Sequence, residues 1–534
     1  MYRCFLVLSC LVLCNGWHAN AAEFQKSCLL SGLQEVPATP SSAFGCGRFI
    51  VDTTANTVTY RISYAGLLGA ETVAHIHGPA PVGTNGGVAH ALPAGSPKMG
   101  VWNYPEAQEA DILAGSFYVN IHSAAFPGGE IRGQIVDANC RIDAAQEVPP
   151  SGATGALGWG VFNIDVCTNT VTYHIATTGL SSAETAAHIH GLAPHGSNAG
   201  VLHALPAGPV KTGTWSYAES LEAFILDGCS YVNIHTVNNP AGEIRGQIAT
   251  LICPLDGGQE VPPNPSAGAG CAILTVEPII DRLSYDILTL GLGGVETAAH
   301  IHGFAPVGAN AGVQLPLPAG PRKLGLWTYG PVNAADVLGG LTYVNIHTSA
   351  VASGEIRGQL LFRPVDADCN TNGIPDYCEP DCNGNGMPDD CDVAMGIALD
   401  CNNNMVPDAC DIAMGTSLDV DMNGVPDECA PAAPMFKRGD CNTDDVKNIA
   451  DAIFALNFLF PTMPPPTPLP CEEACDANDD DSINIADAVQ MLNILFPTGP
   501  PPAWPAPDAC GVDPTPGALG CGAYNDPTGA PWCP

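Results

Sequence analysis

Two short motifs recur three times in the same order, and no other feature constrains this chain as strongly. Ala-His-Ile-His-Gly stands at 74–78, 187–191 and 299–303, and Tyr-Val-Asn-Ile-His at 118–122, 231–235 and 343–347. Gly-Glu-Ile-Arg-Gly-Gln follows at 129–134, 242–247 and 354–359. The spacing is 113 residues from His75 to His188 and 112 from His188 to His300. A period above 100 residues is too long for a solenoid and is the length of a small domain. Three tandem domains are therefore expected over 23–139, 140–252 and 253–364.

Each repeat opens with a cysteine and Gln-Glu-Val-Pro: Cys28 with 34–37, Cys140 with 146–149, Cys253 with 259–262. Short alternating segments follow between Gly/Pro-rich turns, which predicts antiparallel β-sandwiches. Cys28 with Cys46 and Cys253 with Cys271 are the expected disulfides. Trp159 stands where repeat two would carry the second cysteine, which leaves Cys140 to pair with Cys167 or Cys229.

Side chains at i and i+2 share a strand face. His75 and His77 are then neighbours, as are Tyr118, Asn120 and His122. If the two strands are adjacent, three imidazoles converge, a donor set suited to Cu or Zn. The sets are His75, His77, His122; His188, His190, His235; and His300, His302, His347. The competing expectation is a purely structural network in which the histidines bond Glu130 and Arg132, Glu243 and Arg245, or Glu355 and Arg357. His90 and His203 are fourth candidates, but Leu315 holds that place in repeat three.

Together the three motifs resemble the CHRD (chordin-type) domain, which implies an all-β fold over about 28–363. A fainter resemblance connects the His-x-His strand and the later strand-borne histidine with copper–zinc superoxide dismutases. The Asp-containing zinc loop and bridging histidine of that family are missing here.

Composition bounds the rest. Arg3, the apolar run 5–13 and Ala19-Asn20-Ala21 read as a signal peptide over 1–21. Of 23 cysteines, removing the three at 4, 10 and 14 leaves 20, an even number that fits disulfides in an oxidising compartment. The expected location is secreted or at the cell surface, with no transmembrane span. The net charge of −37 is concentrated in the C-terminal third, where only Lys437, Arg438 and Lys447 are basic after Asp366. Such a surface repels nucleic acid and attracts cations.

From 365 to 429 four acidic units each end in Pro-Asp-x-Cys, at 368–378, 381–391, 400–410 and 419–429. Oxygen donors two residues apart in a tight loop suit Ca²⁺. The candidates are Asp368, Asn370, Asn372, Asp376; Asp381, Asn383, Asn385, Asp389; and Asp419, Asp421, Asn423, Asp427. Met405 takes a glycine position in the third unit, and Val420 replaces the first cysteine of the fourth. The units resemble thrombospondin type 3 calcium repeats. With so little apolar content, only metal and disulfides could order the segment; the alternative is a solvated acidic linker.

After a linker at 430–436, two EF-hand-like loops lead into amphipathic helices within 437–497. Their candidate Ca²⁺ ligands are Asp440, Asn442, Asp444, Asn448, Asp451 and Asp476, Asn478, Asp480, Asn484, Asp487. Ile449, Ile453, Leu456, Phe460 and Ile485, Val489, Leu492, Phe496 are the predicted apolar faces, expected to pack on each other. The duplicated loop–helix resembles a type I dockerin. It departs at Asp445 and Asp481, where that family has glycine, and at Lys447, so loop one is expected to bind Ca²⁺ more weakly. The resemblance implies a cohesin-like or other cell-surface partner and a place beside polysaccharide breakdown. In the Pro/Gly-rich tail 498–534, Cys510, Cys521 and Cys533 are available to bridge to Cys441, Cys471 or Cys475. The chain as a whole reads as a secreted, calcium-binding, non-catalytic display or binding protein with an unknown ligand for its β repeats. The alternative is a copper or zinc protein using the histidine sets.

Overall fold

The computed structural model describes residues 23–496, apart from 153–154, 363–367, 373, 386, 420–423, 430–435 and 462–467, together with 519 and 521. The signal-peptide segment 1–21, the ligand candidates Asp421 and Asn423, most of the linker, and Cys510 and Cys533 lie outside the described residues. The chain divides into two compact units, Met1–Cys391 and Asp392–Pro534, so the boundary runs inside the acidic segment. No described helix is long and apolar enough to cross a membrane.

The first unit contains three eight-stranded antiparallel sheets, one per repeat. In repeat one the strands are β1 Glu23–Ser31, β2 Phe44–Asp52, β3 Thr57–Ala65, β4 Glu71–His77, β5 Val88–Ala91, β6 Lys98–Asn103, β7 Tyr118–Ser123 and β8 Ile131–Gln134. They lie in the order β5-β4-β7-β8-β1-β2-β3-β6. β1 pairs with β2 over nine positions but shares only one ladder position with β8, Ser31 opposite Arg132. At that single junction the sheet folds over, and its two four-stranded halves face each other across one core. Ile76, Val119, Ile121 and Ile131 from one half meet Leu30, Phe49, Val51, Ile62 and Trp102 from the other. The same one-residue junction recurs between Asp143 and Arg245, and between Asp256 and Arg357.

Period-two alternation decides what faces out. In β4, Ala74 and Ile76 are buried, which puts His75 and His77 on the outer face. Each repeat also buries an ion pair: Lys98 with Glu71, Lys211 with Glu184 at 2.7 Å, and Lys323 with Glu296 at 2.8 Å. Each ammonium is completely enclosed.

The repeats touch one another in all three pairs. Asn139, on the strand Ala138–Asp143 that belongs to the second sheet, accepts from Leu29 N–H at 3.3 Å and donates to Ser27 O at 3.0 Å. Arg322 of repeat three reaches Asp143 of repeat two, and Arg61 of repeat one reaches Asp256 of repeat three.

The expected disulfides within repeats do not form. Cys46 bonds Cys271, linking repeats one and three. The cause is register: Gly47 lies opposite Cys28 and Leu29 opposite Cys46, so the two cysteines sit on opposite faces of the sheet. Cys28 points into the sandwich core, whereas Cys46 joins Leu29, Ile252 and Cys271 outside it. Cys253 repeats the arrangement, with Pro254 opposite Cys271. Cys28, Cys140, Cys229 and Cys253 are buried thiols, and Cys167 bonds Cys378 rather than Cys140. In the acidic segment of this unit, Cys369 bonds Cys391.

In the second unit Cys401 bonds Cys429, Cys441 bonds Cys475, and Cys471 bonds Cys521, the last tying the tail as expected. Its two main helices are Ile449–Leu459 and Ile485–Leu495. They do not bury the predicted faces. Ala452, Ala455, Ala488 and Met491 make the core around Cys441 and Cys475, with Leu456 and Leu492 packed at its margin. Ile449, Ile453, Phe460 and their counterparts Ile485, Val489, Phe496 are each at least half exposed. Small alanine faces let the short helices approach closely, and that contact leaves the bulkier stripe outside.

Candidate metal centre

β4 and β7 are adjacent and antiparallel, with Val73 opposite His122, His75 opposite Asn120, and His77 opposite Tyr118. The three histidines therefore share the outer face. Ring centroids are 5.4 Å apart for His75–His77, 5.4 Å for His75–His122 and 6.0 Å for His77–His122. Each ring offers one nitrogen, and these lie within 4.8 Å of one another in all three repeats.

Backbone carbonyls orient two of the rings. His77 Nδ1 meets Gly86 O at 3.1 Å, and His122 Nδ1 meets Pro127 O at 3.0 Å. The counterparts are His190 with Ala199, His235 with Pro240, His302 with Ala311 and His347 with Ala352, all at 3.0–3.1 Å. A carbonyl on Nδ1 fixes the proton there and turns the Nε2 lone pair inward. The nitrogens left buried without a partner are His75 Nδ1, His77 Nε2 and His122 Nε2, and the same three in each other repeat. Burial, with the neighbouring imidazoles, holds His75 and His77 below the ordinary histidine range, which favours the neutral ligand form. Three nitrogen donors facing one another, two of them on rings held by carbonyls, fit Zn or Cu.

The competing network is not the one observed. Glu130 accepts from Ser41, Ser123 and the Leu68 N–H. Arg132 donates to Asn85 and Gln134 and lies over Tyr118. Neither partners a histidine. His90 is also excluded from the centre: it lies opposite Ile76, stacks on Trp102 and meets Tyr60 Oη at 3.3 Å. His203 does the same with Trp215 and Tyr173.

Sequence reasoning missed the loop that braces the site. Gly86 N–H donates to Tyr118 Oη at 3.0 Å, and the neighbouring Asn85 accepts from Arg132 and donates to Val36 O. Asn198 and Asn310 take the same part. The available signal was an asparagine eight residues after the second histidine in every repeat.

The calcium candidates form two loop families. In the acidic units the first carboxylate accepts from backbone N–H groups further along its loop. Asp368 accepts from Asn372, Asp381 from Gly384 and Asn385, and Asp400 from Asn404 and Met405. Asp376, Asp389 and Asp408 close these loops onto Cys369, Cys382 and Cys401 N–H. The third unit thus folds like the first two: Met405 adopts the left-handed conformation, φ 67°, in place of glycine. Asp400, Asn402, Asn404 and Asp408 were missed as a ligand set for that reason. In the fourth unit, Asp419 accepts from Gly424 N–H.

The two EF-hand-like loops match each other. Asp440 accepts from Asp444 and Asp445 N–H, and Asp476 from Asp480 and Asp481 N–H. Asn448 and Asn484 cap the helices, and Asp451 and Asp487 complete the capping boxes. Asp445 and Asp481 meet the glycine position with φ of 66° and 62°.

Sequence comparison matches the CHRD domain to residues 27–135, 140–248 and 251–360. The chain is 28% identical to Chordin of Xenopus laevis over 251 residues, 41% of this chain and 26% of that protein. It is 28% identical to Chordin of Danio rerio over 269 residues, 44% of this chain and 27% of that protein. It therefore spans about a quarter of the length of these curated relatives. Three matches covering most of the β-rich part, each folded as the same eight-stranded sheet around the same histidine set, make this chain a member of the CHRD domain family.

Proposed function

We propose that this chain is an extracellular, non-catalytic binding protein whose three CHRD repeats each carry one Cu or Zn ion on a three-histidine centre. One observation carries the reading. In every repeat the nitrogens that face one another are the buried ones without partners, while Nδ1 of two of the three rings is tied to carbonyls. Metal bonds would satisfy all nine nitrogens at once. Calcium in the acidic and EF-hand-like loops would order the remainder, and a signal peptide would export it. Metal analysis of the purified full chain after Zn or Cu loading tests the centre. Three equivalents are expected, with none of them left in the His77→Ala/His190→Ala/His302→Ala variant. Wild-type protein that retains neither metal above background ends the reading.

A second reading concerns the C-terminal helices. The exposed stripe Ile449, Ile453, Phe460 and its copy Ile485, Val489, Phe496 supports docking onto a cohesin-like or other cell-surface protein, beside polysaccharide breakdown. A pull-down from the surface fraction of the same cell with the full chain, with and without chelator, tests it. Ca²⁺-dependent capture abolished by Ile453→Asp/Val489→Asp is expected; capture that ignores both removes the docking role.

A further inference from the structure

Beneath each histidine set lies a second group of buried polar atoms that the metal reading does not use. Asn120 stands opposite His75 in the β4–β7 pairing, between Tyr118 and His122 on the same face. Glu35, from the Gln-Glu-Val-Pro turn, reaches it: Asn120 Nδ2 donates to Glu35 Oε2 at 3.4 Å, and Asn345 Nδ2 to Glu260 Oε2 at 3.3 Å. Both side chains are more than nine-tenths buried in every repeat. Their other oxygens, Glu35 Oε1 and Asn120 Oδ1, have no partner, nor do the corresponding atoms of Glu147, Asn233, Glu260 and Asn345.

The unpartnered oxygens crowd one spot. A Cβ on Gly129 would stand 2.5 Å from Asn120 Oδ1 and 2.7 Å from Glu35 Oε1; on Gly354 the distances are 2.5 and 2.7 Å, and on Gly242 both are 2.6 Å. The glycine has φ of 131–138° in the three repeats, so it supplies the conformation as well as the space. Two buried acceptors side by side without a donor repel each other and forfeit hydrogen bonds. One proton resolves both deficits. Placed on Glu35 Oε1 it is donated to Asn120 Oδ1, while Asn120 Nδ2 donates back to Glu35 Oε2, closing an acid–amide ring.

We infer that Glu35, Glu147 and Glu260 are neutral acids that each share a proton with the neighbouring asparagine and thereby position the floor of the histidine centre. The positioning role rests on the metal reading; the acid–amide ring does not. Around Glu35 stand Arg132 from β8, Asn120 from β7 and the backbone of Val36; Asp256 adds to these at Glu260. The one cation, Arg132, directs its hydrogen bonds to Asn85 and Gln134 and its face to Tyr118. Burial pushes the Glu35 carboxyl up to about 7 despite Arg132, and the other two likewise. The folded protein therefore holds this proton more tightly than the unfolded chain. The stability it contributes is full below about 4.5 and is lost as pH rises through about 7.

The test uses the full chain with all three positions changed, as E35Q/E147Q/E260Q and as E35A/E147A/E260A. Glutamine supplies a neutral N–H donor where the acid supplied O–H. The infrared band of protonated carboxyl groups near pH 6 should be present in the wild type and reduced in the Gln variant. The Gln variant should melt close to the wild type near pH 6, the Ala variant well below both. As pH is raised through 7 the wild type should lose ground to the Gln variant. An unchanged infrared band, or a Gln variant that melts as low as the Ala variant, overturns the neutral acid. Loading with Zn or Cu separates the two claims. Metal affinity that falls in the Ala variant and is restored in the Gln variant supports positioning; equal affinity in all three proteins overturns it. If no protein binds metal, the centre and the positioning role fail together, while the infrared and melting results still decide the ring.

Discussion

His77 lies flat on Tyr118, with ring centroids 5.2 Å apart and planes 8° from parallel, and the Arg132 guanidinium also lies over the Tyr118 ring, 3.4 Å from its centroid. His190–Tyr231–Arg245 and His302–Tyr343–Arg357 repeat the stack. The tyrosine thus fixes the plane of one candidate ligand while holding the buried Arg132 guanidinium against its ring. Tyr118→Phe keeps the stack but leaves the Gly86 N–H without its acceptor. It should cost about 1–3 kcal/mol in denaturant unfolding and hold metal nearly as well. Tyr118→Ala opens a cavity and frees the ring; about 3–5 kcal/mol and a weaker centre are expected.

Lys98 is wholly enclosed and bonds Glu71, Pro93 O and Gly95 O. Burial acts to raise the Glu71 carboxyl, but bonds from Lys98, Tyr64 and the Gly95 N–H outweigh it and hold the group below its ordinary value. A depressed carboxylate contributes stability above its unfolded value, near 4.5, and loses it as pH falls through the folded one. Lys98→Met should cost about 3 kcal/mol, the low end for a broken buried pair because Glu71 keeps some water contact. The variant should also lose less stability than the wild type between about pH 5 and pH 3 in thermal melts, since its Glu71 lacks the partner that depresses it.

Peptide mapping without reduction should recover Cys46 joined to Cys271 and alkylatable thiols at Cys28, Cys140, Cys229 and Cys253 after unfolding. Cys46→Ala/Cys271→Ala removes a link spanning 225 residues of sequence. A loss of about 2–4 kcal/mol is expected, within the ordinary range for a native disulfide. Recovery of Cys28 joined to Cys46 would contradict the register given above.

The two EF-hand-like loops share one hydrogen-bond pattern, and each has a basic side chain at its rim, Lys437 on Asp445 in loop one and Arg438 on Asp479 at 2.9 Å in loop two. Only loop one carries a lysine within the loop itself, Lys447, next to its candidate ligand Asn448. A resident cation lowers the local demand for Ca²⁺. Circular dichroism across a Ca²⁺ titration should therefore find a larger helicity loss for Asp476→Ala than for Asp440→Ala. Burial pushes Asp451 and Asp487, which close the loops, up to about 6 without metal, so Ca²⁺ also has a desolvation penalty to relieve. Equal losses in the two variants would mean that Lys447 is irrelevant.

Much of this architecture is local and could be read from the chain. Alternation in His75-Ile76-His77 and in the 118–122 segment determines which side chains share a face, whatever the strands pair with. Alternate Asp and Asn residues form their turns from N–H groups two to five residues away, so the acidic loops were legible, except where Met405 concealed the third. Long-range register decided the rest. Cys28 and Cys46 lie near each other in sequence and sit on opposite sides of the sheet, because Leu29 rather than Cys28 stands opposite Cys46. The carbonyls that turn His77 and His122, the Glu35–Asn120 pairing and the alanine contact between the C-terminal helices depend on how distant segments meet. Periodicity reports the face a residue takes, while the partner across that face is chosen only when loops and sheets close on one another.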